Sequence, residues 1–308
     1  MEKIVVFGSS NIDMVLNVEE MPQKGETIKC KEYKTVPGGK GANQAVACGR
    51  LGGDCVFLSK IGNDDAGEIL TKSLNSAGVN TEKMAKLDNC PTGTAVIMVN
   101  ANGNNSIVII PGANGECDMN YVEENRNVIE EAGIVMTQLE TAFSGVFGLI
   151  RMAKKAGKTV ILNPAPASTK IPDDIFDGLD FITPNETELS TITGMPVNTI
   201  DEIEKASRAI LEKGVKNVIV TIGSRGAFLC NEKECRLCPT YTGVKPVDTT
   251  AAGDTFNAGI AVGLAEGKSL DEAIRLANAA AAISVTRAGA QTSIPTRKEA
   301  ETLISTRL

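Results

Sequence analysis

Histidine is absent from this chain, tryptophan is absent with it, and aromatic residues make up only 4% of the sequence. Without imidazole, Ser-His-Asp triads, Cys-His dyads and HExxH zinc sites are excluded. Any general base is then an Asp or a Glu. No apolar run approaches the roughly 18 residues that read as a membrane span. The opening residues, MEKIVVFGSSNIDMV, pass from a short β-like stretch into polar residues and lack the apolar core and cleavage pattern of a secretory signal. Positive charge is in deficit: 31 Lys and Arg against 38 Asp and Glu leave a formal net charge of -7 and a pI near 5.0. That balance speaks against a general basic surface for nucleic acid or anionic membrane, although a local cationic pocket stays open. A cytoplasmic protein acting on small molecules is expected.

What is present fits a soluble globular chain: 308 residues, 42% hydrophobic, 22% charged, 30 Gly and a mean hydropathy of -0.01. Eight cysteines stand at the irregular positions 30, 48, 55, 90, 117, 230, 235 and 238, which reads as reduced cytosolic thiols rather than a disulfide framework. Cys230, Cys235 and Cys238 have the spacing of three thiolate ligands. A fourth ligand would have to come from afar, and the segment reads as paired strands, AFLCN and RLCPTY, around the turn NEKE.

Short apolar strand candidates at 3–8, 55–61, 133–139, 158–163, 180–183 and 216–223 alternate with helical stretches at 42–51, 66–77, 119–131, 144–156 and 200–213. This rhythm predicts an α/β fold with a doubly wound, mostly parallel central sheet and helices on both faces. Ligands of such sheets bind beyond the carboxyl ends of the strands. TAVIMVNANGNNSIVII (94–110) breaks the rhythm as a hairpin, and 12–37 is extended without helical periodicity. Together they predict a small β lid inserted into one domain spanning 1–308. Both pleat faces of the hairpin carry large apolar side chains, so one face is expected to close over substrate and the other to pack on a second copy in a homodimer.

The most informative segment for chemistry is VDTTAAGDTFNAGIAVGLAEG (247–267). Backbone N–H groups of Ala251, Ala252 and Gly253 at a helix start can hold a phosphoryl oxygen, with Asp254 beside them as a base. Helix capping by Asp248 or Asp254 is the simpler alternative, yet Gly in the first turn weakens a helix without aiding a cap. A second segment, VPGGKGANQAVACGRLGG (36–53), puts Gly38, Gly39 and Gly41 before a helix beginning near Ala42. Lys40 is followed by Gly41 rather than Ser or Thr, so it is no Walker A loop, and FGSSNID after the first strand is no dinucleotide fingerprint. Backbone N–H groups and Asn43 facing a neutral, hydroxyl-rich ligand remain, or else a plain loop feeding a helix. Asn11 and Asp13, two apart after the first strand, point to one side and suit sugar hydroxyls, unless they only shape an Asx turn.

These residues, with SSNID, GGKGANQAVA (38–47), NPAPA (163–167), PNETE (184–188), TIGSRG (221–226) and DTTAAGDTFNAG (248–259), resemble the ribokinase-like carbohydrate kinases over essentially the whole chain. The resemblance implies ATP-dependent phosphorylation of D-ribose at the 5-hydroxyl. Asp254 would accept the hydroxyl proton, while Gly253 and its neighbours stabilise the transferring group. It further implies ribose contacts from Asn11, Asp13, Gly39, Lys40, Gly41, Ala42, Asn43 and Glu140. Nucleotide contacts would come from Asn185, Thr221, Ile222, Gly223, Ser224, Arg225, Gly226 and Asn278. Asn185 and Glu188 are spaced as a helix cap and its third-position partner, and they also match the family motif near Mg²⁺ and phosphate. Asp248, Thr250, Ser284, Arg287, Gly289 and Ser293 match a K⁺ site built largely of backbone carbonyls. A sister kinase for deoxyribose, fructose or a nucleoside is the neighbouring alternative, and a non-catalytic sugar-binding protein the more distant one.

Overall fold

Ile4, Val5, Val6 and Phe7 are all fully buried although successive strand residues point to opposite faces. Ile4 and Val6 join one apolar core, and Val5 and Phe7 another. Such a strand must be covered on both sides, and the rest of the chain supplies the cover. The computed structural model describes residues 1–306. Its first part runs β1 (Ile4–Phe7), β2 (Asn11–Asn17), β3 (Glu32–Gly38), α1 (Lys40–Arg50), β4 (Cys55–Leu58), β5 (Lys60–Gly62) and α2 (Asp65–Ser76). Then come β6 (Ala85–Leu87), β7 (Gly93–Val99), β8 (Asn105–Ile110), α3 (Met119–Glu124), α4 (Arg126–Glu131), β9 (Ile134–Thr137), α5 (Phe143–Lys155) and β10 (Thr159–Leu162). The chain continues through α6 (Asp173–Phe176), β11 (Phe181–Ile182), α7 (Glu186–Thr193), α8 (Ile200–Leu211), β12 (Asn217–Thr221), β13 (Ala227–Asn231) and β14 (Cys235–Cys238). Three helices, α9 (Ala252–Ala265), α10 (Leu270–Ser284) and α11 (Arg297–Thr306), close it.

The eight-stranded sheet has the order β14-β13-β12-β11-β10-β9-β1-β4. It is parallel from β12 to β4, with β13 and β14 forming an antiparallel edge. From β1 the chain moves outward to β4, then returns to β9 on the other side of β1, so the strand order reverses there and opens a crevice at the carboxyl ends. One core packs α1, α9 and α10 on the sheet, and the other packs α5 and α8. The α9 and α10 backbones meet closely because Gly259 faces Ala277 and Gly263 faces Ala273. The alternating fold class read from the strand and helix rhythm is the one observed.

A separate four-stranded sheet has the order β3-β2-β7-β8. Its β2–β7 pair is parallel and its other two pairs antiparallel. Within the expected 12–37, strand structure covers only β2 and β3. Ile107, Val108, Ile109 and Ile110 of β8 are exposed, as is Tyr33.

Three local expectations need correction. The helix expected over 119–131 is two helices meeting at Asn125, whose side-chain amide donates to the Tyr121 carbonyl at 2.9 Å and competes with the backbone ladder. The strand expected over 55–61 splits, with β4 in the main sheet and β5 paired to β6. Cys230 and Cys235 are not reduced thiols: they stand directly opposite in the β13–β14 register, with Cα atoms 4.1 Å apart, and form a disulfide. Sequence spacing does not reveal that they are cross-strand partners.

The α9–α10 contact sets a stability test. Gly259→Val would drive methyls into the Ala277 backbone and is expected to cost about 2–3 kcal/mol in a urea titration. Gly115→Ala, whose added carbon would only graze Pro111, is expected to cost less than about 1 kcal/mol.

Candidate active site

A cavity of about 390 Å³ lies at the strand-order reversal, between the carboxyl ends of the main sheet and the four-stranded sheet. Asn11 and Asp13 of β2 both line it, as the two-residue strand period requires, and Ile97, Ile107 and Ile109 cover it from β7 and β8. Asn11 accepts at Oδ1 from Asn114 Nδ2 at 2.7 Å, so its own amide nitrogen remains to donate to a ligand. Burial pushes the Asp13 carboxyl up to about 7, with repulsion from Glu140 adding to it and Lys40 opposing.

The glycine-rich segment works differently from the expectation of backbone N–H groups facing a ligand. Lys40 N donates to Glu140 Oε2 at 3.0 Å, Gly41 N to Ser9 Oγ at 3.3 Å, Ala42 N to Ser9 O at 2.8 Å and Asn43 N to Gly39 O at 2.9 Å. Those groups are therefore engaged within the protein. Gly41 presses on the Gly8–Ser9 backbone, where any Cβ would come within 2.5 Å, and Gly39 has a positive φ of 87°. The glycines bring α1 down on β1, and it is Gly39 and the side chains of Lys40 and Asn43 that line the cavity, while Gly41 and Ala42 are buried beneath.

Asp254 sits in the first turn of α9, 7% exposed. Its Oδ2 accepts from Asn43 Nδ2 at 3.0 Å and its Oδ1 from Gln44 Nε2 at 3.1 Å. Burial raises its pKa, while the Lys40 ammonium and the two amides pull it back. For Lys40 itself, burial works against the charge, but Asp254, Glu140, Glu188 and Asp13 outweigh it and hold the ammonium above its ordinary range. Asn43 Oδ1 is buried without a protein partner, a vacancy that a ligand hydroxyl fills naturally. Ala251, before the helix, has φ 60° and is the one non-glycine residue with positive φ among the described residues. Such a conformation costs about 1–3 kcal/mol and persists only where the surroundings enforce it. The N–H of Ala252 is taken by the Thr249 carbonyl at 3.2 Å, which narrows the expected anion nest to its neighbours Ala251 and Gly253. A Cβ on Gly253 would meet nothing within 4 Å, so the glycine opens directly onto the cavity.

A second cavity of about 690 Å³ adjoins the first, and Asn185, Thr221, Thr249 and Gly253 line both. Thr221, Gly223, Ser224 and Gly226 form part of its wall. Ile222 instead turns into the core and Arg225 pairs with Glu186 at 2.6 Å. Asn278 lines this cavity and donates to the Cys238 carbonyl at 3.2 Å. Asn185 and Glu188 form a full capping box on α7, with Glu188 N donating to Asn185 Oδ1 at 2.8 Å and Asn185 N to Glu188 Oε2 at 2.9 Å. Burial raises the Glu188 pKa, and both residues also line the first cavity.

The Asp248 carboxylate accepts from Thr250 N and Oγ1 at 2.9 and 2.7 Å and from Gly289 N at 2.8 Å, which joins 248–250 to the loop after α10. Ser284 and Ser293 are fully buried there, whereas the Arg287 guanidinium turns to Glu299. Oxygen donors dominate the neighbourhood, a set suited to a hard monovalent cation. The residues overlooked in the sequence are polar and buried: Ser9, Gln44, Asn114, Gln138, Asn163 and Asn257. Asn163 and Gln44 stand inside quoted motifs, so a polar residue on an otherwise apolar helix face or strand end was the available signal.

The chain matches the pfkB family of carbohydrate kinases over residues 1–297 and belongs to that family. It is 42% identical to the ribokinase of Haemophilus influenzae over 296 residues, 96% of each chain. Its fold superposes on that of Arabidopsis thaliana ribokinase complexed with ribose and ATP, with TM-score 0.94, 38% identity and 98% of both chains covered. The deoxyribokinase of Salmonella typhi is similar too, 38% identical over 95% of each chain.

Asp13 titrates where it can be tested. A carboxyl whose folded pKa is raised binds protons better folded than unfolded, so its contribution to stability falls as pH rises from about 4 to about 7. Asp13→Asn is expected to raise Tm by about 3 °C or more at pH 8 relative to its effect at pH 4.5, measured by calorimetry.

Proposed function

We propose that this chain transfers the γ-phosphoryl group of ATP to the 5-hydroxyl of D-ribose, giving D-ribose 5-phosphate and ADP. One observation carries the reading: Gly253 lines both a smaller cavity edged by carboxyl and amide groups and a larger one with mostly apolar walls, and Asp254, the next residue, faces the smaller. The sugar occupies the first, with Asn11, Asp13, Asn43 and Glu140 answering its hydroxyls, and the nucleotide occupies the second. Asp254 orients the 5-hydroxyl and takes its proton as the new O–P bond forms and the bond to the leaving ADP oxygen breaks. The Ala251 and Gly253 N–H groups and Lys40 face the charge on the transferring group.

Mg²⁺ belongs to this reading as the partner of the nucleotide phosphates, where when bound it would neutralise phosphate charge, with Glu188 of the first cavity the carboxylate that the family motif sets toward it. K⁺ would sit among the oxygens of Asp248, Thr250 and the 284–293 loop and brace the turn that forms the nest. The four-stranded sheet acts as the lid of a single domain. Its exposed Val108 and Ile110, on the pleat face away from the cavity, support a homodimer formed lid to lid. We place the enzyme in the cytoplasm.

A coupled ADP-release assay across ribose, 2-deoxyribose, fructose and adenosine, with and without K⁺, tests the assignment. Ribose is expected to turn over fastest and K⁺ to raise the rate, and fastest turnover on adenosine overturns the sugar reading. Deoxyribose is the second candidate because a deoxyribokinase is nearly as similar as the ribokinases. Asp254→Asn is expected to lower kcat by about a thousandfold with the sugar KM within about fivefold. Glu188→Gln is expected to lower kcat by about tenfold or more and to raise the Mg²⁺ needed for half-activity, whereas a purely capping role leaves both unchanged.

A further inference from the structure

Beside Asp254 a run of buried polar side chains passes along the wall of the first cavity, which Asn163, Thr183 and Asn257 also line, and returns to the same helix start. Gln44 Nε2 donates to Asp254 Oδ1 at 3.1 Å and to Asn163 Oδ1 at 3.2 Å, and its Oε1 accepts from Gln138 Nε2 at 2.6 Å. Asn163 Nδ2 donates to the Thr183 carbonyl at 3.0 Å, the Thr183 hydroxyl donates to Asn257 Oδ1, and Asn257 Nδ2 donates to the Gly253 carbonyl at 2.9 Å. Gln44, Gln138, Asn163, Thr183 and Asn257 are all buried.

The direction of every bond is set from the two ends. A carboxylate only accepts, so Gln44 must turn its NH₂ toward Asp254, and Asn163 must then offer its carbonyl oxygen to the second N–H of that group. The Gly253 carbonyl also only accepts, so Asn257 must present its NH₂ there and its oxygen to Thr183. The two halves meet on different groups of Thr183: its carbonyl accepts from Asn163, and its hydroxyl donates to Asn257 Oδ1 with the Leu162 carbonyl as a longer second acceptor at 3.3 Å. None of these side chains has freedom to flip without leaving a buried acceptor facing another acceptor.

We propose that Gln44 is the positioning residue of the base, and that the run through Asn163, Thr183 and Asn257 holds the Asp254 carboxylate and the Gly253 peptide in one fixed relation. This rests on the kinase reading above. One end of the run orients the group that receives the proton, and the other holds the Gly253 carbonyl, one Cα removed from the Gly253 N–H beside which the phosphoryl charge develops. A network closed on itself sets the two partners of one transition state together, in a water-poor environment where misplacement is costly. Other charges facing Asp254 are Lys40 of α1, Asp13 of β2, Glu140 after β9 and Glu188 of α7, and none of them belongs to the run.

The isosteric change Gln44→Glu separates positioning from packing. It sets a second carboxyl against Asp254, so the acid limb of the kcat–pH profile is expected to move up by about one pH unit or more, with the sugar KM within about threefold. An acid limb displaced by less than about 0.3 unit overturns the proposal. Should Gln44→Glu not fold, the far end decides: Thr183→Val is expected to lower kcat about fivefold or more at little changed KM, and Thr183→Ser to restore it to within about twofold. Equal rates for the Val and Ser variants overturn the proposal. Failure of the kinase reading is distinct, because the unmodified enzyme would then release no ADP with any of the sugars.

Discussion

One buried ammonium organises the site. Lys40 faces Asp13, Glu140, Glu188 and Asp254, contributed by four different segments of the chain, and without it four acidic groups would converge on one cavity uncompensated. One cation does not offset the cost of burying these carboxyl groups, and burial leaves Asp13, Glu188 and Asp254 all above their ordinary range. A chain without histidine thereby obtains carboxyl groups more basic than an ordinary Asp or Glu. On the proposed reading, the phosphates of the nucleotide bring further negative charge, which Lys40 and the left-handed turn at Ala251 would meet.

Much of this was legible in the sequence because strand ends and glycines advertise themselves. The βα rhythm located the sheet, the rule that ligands bind beyond the carboxyl ends of its strands pointed to the right rim, and Asn11, Asp13, Asn43 and Asp254 line the cavity found there; the strand order itself was not legible. Glycines were harder to interpret. Gly41 looked like part of a backbone cradle for substrate, and its role is to let α1 touch the Gly8–Ser9 backbone. Gly253 looked like a helix-weakening residue with a functional reason, and a Cβ there would meet only open space at the edge of both cavities.

Less legible were interactions that depend on register or on distant partners. The Cys230–Cys235 pairing follows from the alignment of β13 on β14, which a spacing of five does not state. Asn125 divides a helix through a side-chain bond to Tyr121 that periodicity does not weigh. The run of amides beside Asp254 joins residues from α1, the ends of β9, β10 and β11, and α9, and no local pattern links them.

The four-stranded sheet meets the body of the protein along a single line. Asn11, at the start of β2, stands in register with Gly38 at the end of β3 and with Gly93 at the start of β7, and Ile110 ends β8 opposite Thr94 beside them. All four strands thus enter or leave at one margin, two of them through a glycine packed closely against Asp13 or Asn114. A tilt about that margin displaces points in proportion to their distance from the axis. Asn11 lies on that line, Asp13 and Ile109 stand level with each other two residues out, and Ile107 lies two residues further. A tilt of the flap would therefore carry Asp13 and Ile109 together and Ile107 further than either, so polar and apolar contacts on its inner face would loosen in order of their distance from the margin.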